Sequence, residues 1–161
     1  MTGKSAAKSL AHPAVSNLES HLGFWLRYVS NHVSGAFQKA VESQGVSVSE
    51  WVALRQLYGA GDLSQGELMA SLGMTKGAVS KIVQRLETGG LLTRTVAAED
   101  SRSWRLALTK SGRALVPRLA ALADANDEAF FGHLDPSVRA DLIETMKSIV
   151  IARELKEIPT E

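Results

Sequence analysis

From Val15 onward, apolar residues recur at three- and four-residue steps. Leu18, Leu22, Trp25, Leu26, Val29, Val33, Ala36, Phe37 and Ala40 share one face of a long helix that reaches about Ser43, where Gly45 ends it. Ser47 with Glu50 forms a capping box for a second helix bearing Trp51, Leu54 and Leu57, stopped by Gly59 and Gly61. Ser64 with Glu67 repeats the device for a short third helix, Gln65 to Leu72, closed by Gly73. Thr75 caps a fourth, Lys76 to Thr88, closed by Gly89-Gly90.

The period then drops to two. Leu92, Arg94 and Val96 alternate with polar or small neighbours, as do Trp104, Leu106 and Leu108, which predicts a hairpin whose connecting segment, Ala97 to Ser103, projects as a loop. Thr109 starts another helix running to about Gly132, with Pro117 inside it to bend the rod. Asp135 and Pro136 open a last helix with Leu142, Ile143, Met146, Ile149 and Val150 as its apolar stripe. The expected fold is mainly α, with a small β-hairpin wing.

Helix three, the Leu72-Gly73-Met74 turn and helix four make a helix-turn-helix. In helix four, Val79, Ile82, Val83 and Leu86 fall on one side and Gly77, Ser80, Lys81 and Gln84 nearly opposite. A DNA major groove needs such a face: small residues permit close approach, hydroxyls and amides pair with base edges, and cations meet phosphates or guanine. Thr75 and Lys76 stand at the helix N-terminus, where unpaired backbone N–H groups suit a phosphate. Any surface helix can carry a polar face, so the hairpin that follows matters. A helix-turn-helix followed by a hairpin with an arginine-bearing tip is a winged helix, whose wing lies along the adjacent minor groove.

Composition narrows the alternatives. The 161 residues suit one compact domain, and 45% hydrophobic with 22% charged residues is ordinary for a globular protein. Without cysteine there are no disulfides, thiolate metal sites or thiol nucleophiles. The N-terminal segment has no apolar core of an export signal and no apolar run is long enough to span a bilayer, so a cytoplasmic protein is expected. The net charge of +1 is unevenly spread. Between Met74 and Lys110, seven basic residues (Lys76, Lys81, Arg85, Arg94, Arg102, Arg105, Lys110) face three acidic ones (Glu87, Glu99, Asp100), a local +4 that leaves −3 elsewhere. That is a footprint expected for nucleic acid.

The stretches TKGAVSKIVQRLETGGLLTR and EDSRSWRLALTKSG, at their separation in this chain, resemble the MarR family of bacterial winged helix-turn-helix transcriptional regulators. The second stretch holds an Asp-x-Arg as Asp100-Ser101-Arg102, followed by Leu108-Thr109 and Gly112. The resemblance covers roughly residues 15 to 155. It implies that Arg102 enters the minor groove, with Asp100 fixing its orientation by a salt bridge; the same pair also reads as a local ion pair that stiffens the hairpin. The expected DNA-binding set is Ser64, Thr75, Lys76, Gly77, Ser80, Lys81, Gln84, Arg94, Asp100, Arg102 and Arg105. The resemblance further implies a homodimer, probing two half-sites of a pseudo-palindrome ~34 Å apart, and repression as the common mode. The organisation expected is a flexible tail (1–13), an N-terminal dimerisation helix (14–45), a winged helix-turn-helix (46–110) and C-terminal dimerisation helices (111–155).

Family members commonly take small phenolic or carboxylate molecules between the dimerisation helices and the DNA-binding lobe. Here His21, Trp25, Tyr28 and His32 share one stripe of helix one, and Trp51, Arg55 and Tyr58 one face of helix two. Aromatic walls with a guanidinium suit an aromatic carboxylate; the same residues also read as core and interface aromatics, and both readings stand at this point. His21 and His32 lie ~16 Å apart along their helix at 1.5 Å per residue, His12 lies in the tail and His133 near a helix end, so neither metal nor cofactor is expected. No Gly-x-Ser-x-Gly, phosphate loop, dinucleotide fingerprint or His-Glu-x-x-His occurs, which argues against an enzyme. The rival is a winged-helix protein-interaction module without DNA. Against it stand Lys81, Arg94, Arg102 and Arg105, more cations on one edge than a protein partner requires.

Overall fold

The computed structural model describes residues 15–96 and 104–156, which fall into two compact units divided between His32 and Val33. In the first, a 3-10 turn (Leu18–Ser20) precedes helix α1 (Leu22–Glu42), whose residues from Val33 on count with the second unit. The helix expected from Val15 therefore starts at Leu22. His21 is extended, its imidazole Nε2 is 2.9 Å from the Ser16 hydroxyl, and the Trp25 indole donates to the Glu19 carbonyl at 2.8 Å. These contacts fix a break that the spacing of Leu18 and Leu22 does not reveal.

The second unit continues with α2 (Val48–Ala60), β1 (Asp62–Ser64), α3 (Gln65–Leu72), α4 (Lys76–Thr88), β2 (Leu92–Val96), β3 (Trp104–Leu108), α5 (Lys110–Phe131) and α6 (Pro136–Ala152). Both capping boxes form: Ser47 with Glu50 at α2, and Ser64 with Glu67 at α3. The sheet is antiparallel in the order β1-β3-β2, with Leu63 opposite Leu106 and Arg94 opposite Leu106 across the other edge. β1 was not expected. Three residues, the last of them the cap of α3, are too few to show alternation, and only the free edge of β3 makes them a strand.

The core of this unit lies where α2 meets α3, α4, α5 and β3. Ala53, Leu54 and Leu57 of α2 pack with Leu68 and Leu72 of α3, Val79, Ile82, Val83 and Leu86 of α4, Leu92, Leu106 and Leu108 of the strands, and Val116 and Leu119 of α5. Each fully buried Leu or Val contributes roughly 1.5–3 kcal/mol relative to exposure. The short helices of the turn motif thus gain their stability from packing.

The turn between α4 and β2 is fastened to the start of α5. Gly90, at φ +67°, lets the Leu91 N–H reach the Leu86 carbonyl (2.9 Å) and its own N–H reach that of Glu87 (3.0 Å), closing the helix end in a Schellman arrangement. The Thr109 hydroxyl donates to the Gly90 carbonyl at 2.7 Å and caps α5 by accepting from the Gly112 N–H at 3.1 Å, while the Thr109 N–H donates to the Leu91 carbonyl at 3.1 Å. In α6, no residue is buried. Arg139 links it to α5, paired with Asp127 (3.2 Å) and Glu128 (3.0 Å).

Candidate nucleic-acid interface

Helix α4 has the two faces its sequence predicts. Val79, Ile82, Val83 and Leu86 are buried, whereas Thr75, Lys76, Gly77, Lys81 and Gln84 are exposed. The Thr75 hydroxyl accepts from the Ala78 N–H, and the Val79 N–H reaches the Thr75 carbonyl. This leaves the Lys76 and Gly77 N–H groups without an intrahelical acceptor, at the positive end of the helix dipole.

Ser80 is half-buried, and its hydroxyl accepts from the Gln65 side chain of α3 at 2.7 Å. Its own proton is thereby left for a further acceptor. A second tie comes from α2. Glu50 is 7% exposed, one carboxylate oxygen accepting from the Ser47 N–H at 2.7 Å and the other pairing with the Arg85 guanidinium at 2.8 Å. The capping box was legible in sequence, but its link to α4 was not, because nothing local relates positions 50 and 85.

Pairing changes the electrostatic picture of the basic segment. Arg94 on β2 is paired with Glu87 at 3.1 Å, an exposed pair of small worth. Arg105 on β3 donates to both carboxylate oxygens of Asp62 (3.1 and 3.3 Å), to the Asp62 carbonyl (3.2 Å) and to Glu67 (2.9 Å). The Arg105 guanidinium holds the Asp62 carboxyl below its usual range. Glu67 is lowered first by the Ser64 N–H and hydroxyl and then by Arg105, whose own pKa is raised by Asp62 and Glu67. Among the described residues, Lys76, Lys81 and Lys110 enter no ion pair. Two of these three, Lys76 and Lys81, stand on α4, and Lys110 opens α5. Ser64 is occupied as the cap of α3, and Asp100 and Arg102 lie outside the described residues. Val96 and Trp104, which alternation marks only as strand positions, are cross-strand partners at the root of the wing and stay about half exposed.

The residues expected around a small ligand fall into both units. In the first, His21, Trp25, Tyr28 and His32 are exposed. Trp25 and Tyr28 meet edge-on at 6.5 Å between ring centroids, and Tyr28 lies 4.8 Å from His32, whose Nδ1 is 2.8 Å from the Tyr28 carbonyl. Phe24, absent from the expected set, joins this stripe, 5.1 Å from Trp25 and 6.1 Å from Tyr28. In the second unit, Trp51 packs half-buried against the core, while Arg55 lines an open recess with Gln56, Gly59 and Ala60. Among the described residues no three His, Asp or Glu side chains gather as a metal site, and no helix is long and apolar enough to cross a membrane.

The sequence model of the MarR family matches residues 44–103, from the approach to α2 to the residue before β3. The chain is 29% identical over 116 residues to an HTH-type transcriptional repressor of Mycobacterium tuberculosis, covering 72% of this chain and 84% of that protein. Its structure is similar to that of CouR from Rhodococcus jostii, solved bound to p-coumaroyl-CoA. The TM-score is 0.72 at 28% identity, covering 84% of this chain and 95% of that one. A mutant of MarR from Escherichia coli complexed with operator DNA shares the fold at 19% identity, with a TM-score of 0.71 over 80% of this chain and 93% of that one.

Proposed function

We propose that this chain, a transcriptional regulator of the MarR type with a winged helix-turn-helix, acts as a homodimeric repressor that reads a pseudo-palindromic operator through α4. One observation carries the reading. Helix α4 is seated by four buried apolar residues, and its opposite face offers Lys76, Gly77, Lys81 and Gln84 together with two backbone amides that have no intrahelical acceptor. In this reading Gly77 allows close approach, Gln84 and the Ser80 hydroxyl address base edges, Lys76 and Lys81 neutralise phosphates, and the wing follows the adjacent groove.

The homodimer is supported by apolar surface that the monomer leaves uncovered. Leu142, Ile143, Met146, Ile149 and Val150 of α6 are all exposed, as are Leu18, Leu22, Trp25, Leu26 and Val29 of the first unit. Stripes of this extent on two elements exceed the scattered apolar exposure of ordinary surfaces. Two copies related by a two-fold axis would set two recognition helices one DNA turn apart. Release by a small aromatic ligand belongs to the same reading, supported by the aromatic stripe of α1 and by the p-coumaroyl-CoA bound to CouR.

Selection of duplexes from a randomised pool tests the function. The expected outcome is a pseudo-palindrome with half-site centres about 10 base pairs apart. Recovery of sequences with no common element would remove the operator-reading role. Ultracentrifugation tests the dimer: the unmodified chain should sediment at twice its mass of 17.3 kDa, and Leu142→Glu with Met146→Glu should shift it to the monomer. A monomeric unmodified chain at micromolar concentration would refute the assembly.

A further inference from the structure

Arg105 was counted among the cations that meet DNA, yet the geometry around it points elsewhere. Its guanidinium carries five N–H donors. Four of them are taken within the protein, three by the carboxylate and carbonyl of Asp62 and one by Glu67. The fork that would grip a phosphate in two parallel bonds is already used. One arginine between two carboxylates also leaves the patch with a net negative charge, which opposes the approach of a phosphate.

The cluster does join the parts that must keep register on DNA. Arg105 sits on the wing strand β3, opposite Ser64 of β1. The Glu67 oxygen that receives its Nη1 also accepts from the Ser64 N–H at 2.7 Å, so Arg105 grips the capping box at the first turn of α3. The next residue, Gln65, bonds Ser80 on α4. A connected path thus runs from the wing strand through the N-terminus of α3 to the exposed face of the recognition helix.

We propose that Arg105 is a positioning residue, fixing the wing strand to the first turn of α3 through Asp62 and Glu67 so that wing and recognition helix address DNA in one geometry. The inference rests on the DNA-binding reading and refines it: Arg105 contributes to operator affinity without neutralising a phosphate. Arginine is required because the two carboxylates and the Asp62 carbonyl need its planar fork; a lysine supplies the charge without that geometry.

The test measures binding of the full chain to a fluorescent 30-base-pair duplex, selected by the unmodified protein from a randomised pool, at stepped potassium chloride. Arg105→Gln should weaken binding about threefold to tenfold, the scale of a partly exposed ion-pair network, while the slope of log K against log salt stays that of the unmodified chain. Arg105→Lys should be weakened to a similar degree. Asp62→Asn with Glu67→Gln should weaken binding as well, although it removes negative charge, and adding Arg105→Gln to that pair should cost little more. Thermal melts separate a folding defect from misplacement, since Arg105→Lys is expected to melt close to the unmodified chain and still bind worse. A slope reduced by about one per protomer in Arg105→Gln and preserved in Arg105→Lys would make Arg105 a phosphate contact. Tighter binding by the Asp62→Asn, Glu67→Gln pair, or full affinity in Arg105→Gln, would also overturn the proposal. Failure of the unmodified chain to bind any duplex would instead sink the DNA-binding reading, and this inference with it.

Discussion

Replacing Gly112 by alanine separates a requirement of packing from one of helix propensity. A Cβ at this position would stand 2.1 Å from the Leu91 carbonyl oxygen and 3.1 Å from its carbon, with the Leu108 side chain at 3.4 Å. The obstacle is backbone, so α5 and the turn after α4 must part by roughly 1 Å, a shift of the kind that costs about 1–3 kcal/mol in a packed site. Parting them also strains the Thr109 N–H bond to Leu91, at 3.1 Å, worth about 0.5–1.5 kcal/mol. Alanine returns at most about 1 kcal/mol of helix propensity. The balance is a loss of about 2 kcal/mol, or a melting temperature lower by about 4–8 °C for a chain of this size.

The assay is thermal and urea unfolding followed by circular dichroism at fixed protein concentration, because dimerisation would make melting concentration-dependent. Gly77→Ala is the control. Nothing lies within 4 Å of its added Cβ, so stability should hold or rise while duplex binding falls. If Gly112→Ala were as stable as the unmodified chain, the close approach of α5 to Leu91 would not be a constraint and the reasoning would fail.

Gln84→Ala should change base preference, by about 1–3 kcal/mol at one position of a selected duplex if the side chain is bidentate to a base; equal loss on selected and random duplexes would remove it from base readout. Asp62 and Glu67 have folded-state pKa values below their ordinary 3.8 and 4.5, the first through Arg105 and the second chiefly through Ser64. Groups depressed in this way stabilise the fold above those ordinary values and lose that contribution as pH falls through the folded ones. Unfolding free energy should therefore drop as pH goes from about 5 towards 3, and drop less steeply in the Asp62→Asn, Glu67→Gln pair. Identical acid profiles would exclude the cluster as a source of acid sensitivity.

Much of the second unit was legible in its sequence, and the physical reasons are local. The bounds of α3 and α4 followed from Ser64 with Glu67, Thr75, Gly73 and Gly89-Gly90, because caps and left-handed glycines act within one turn of chain. β2 and β3 followed from alternation at Leu92 to Val96 and Trp104 to Leu108. What escaped was non-local. β1 exists because β3 offers an edge, Arg85 meets Glu50 across 35 positions, and Arg105 meets Asp62 across 43. The cation count at 74–110 therefore gave the sign of the surface but not its distribution. Among its described residues, Arg85, Arg94 and Arg105 are held by carboxylates, whereas Lys76, Lys81 and Lys110 are not.

The central claim is that α4 meets the phosphate backbone, and the salt dependence of duplex binding tests it most directly. Binding of a fluorescent duplex by the full chain should weaken as salt rises, because neutralised phosphates give up condensed counterions. With Lys76 and Lys81 engaged on both protomers, the slope of log K against log salt should be about −3.6 or steeper. Lys81→Ala should flatten it by about one per protomer. Binding indifferent to salt, or none at the lowest salt, would contradict the account.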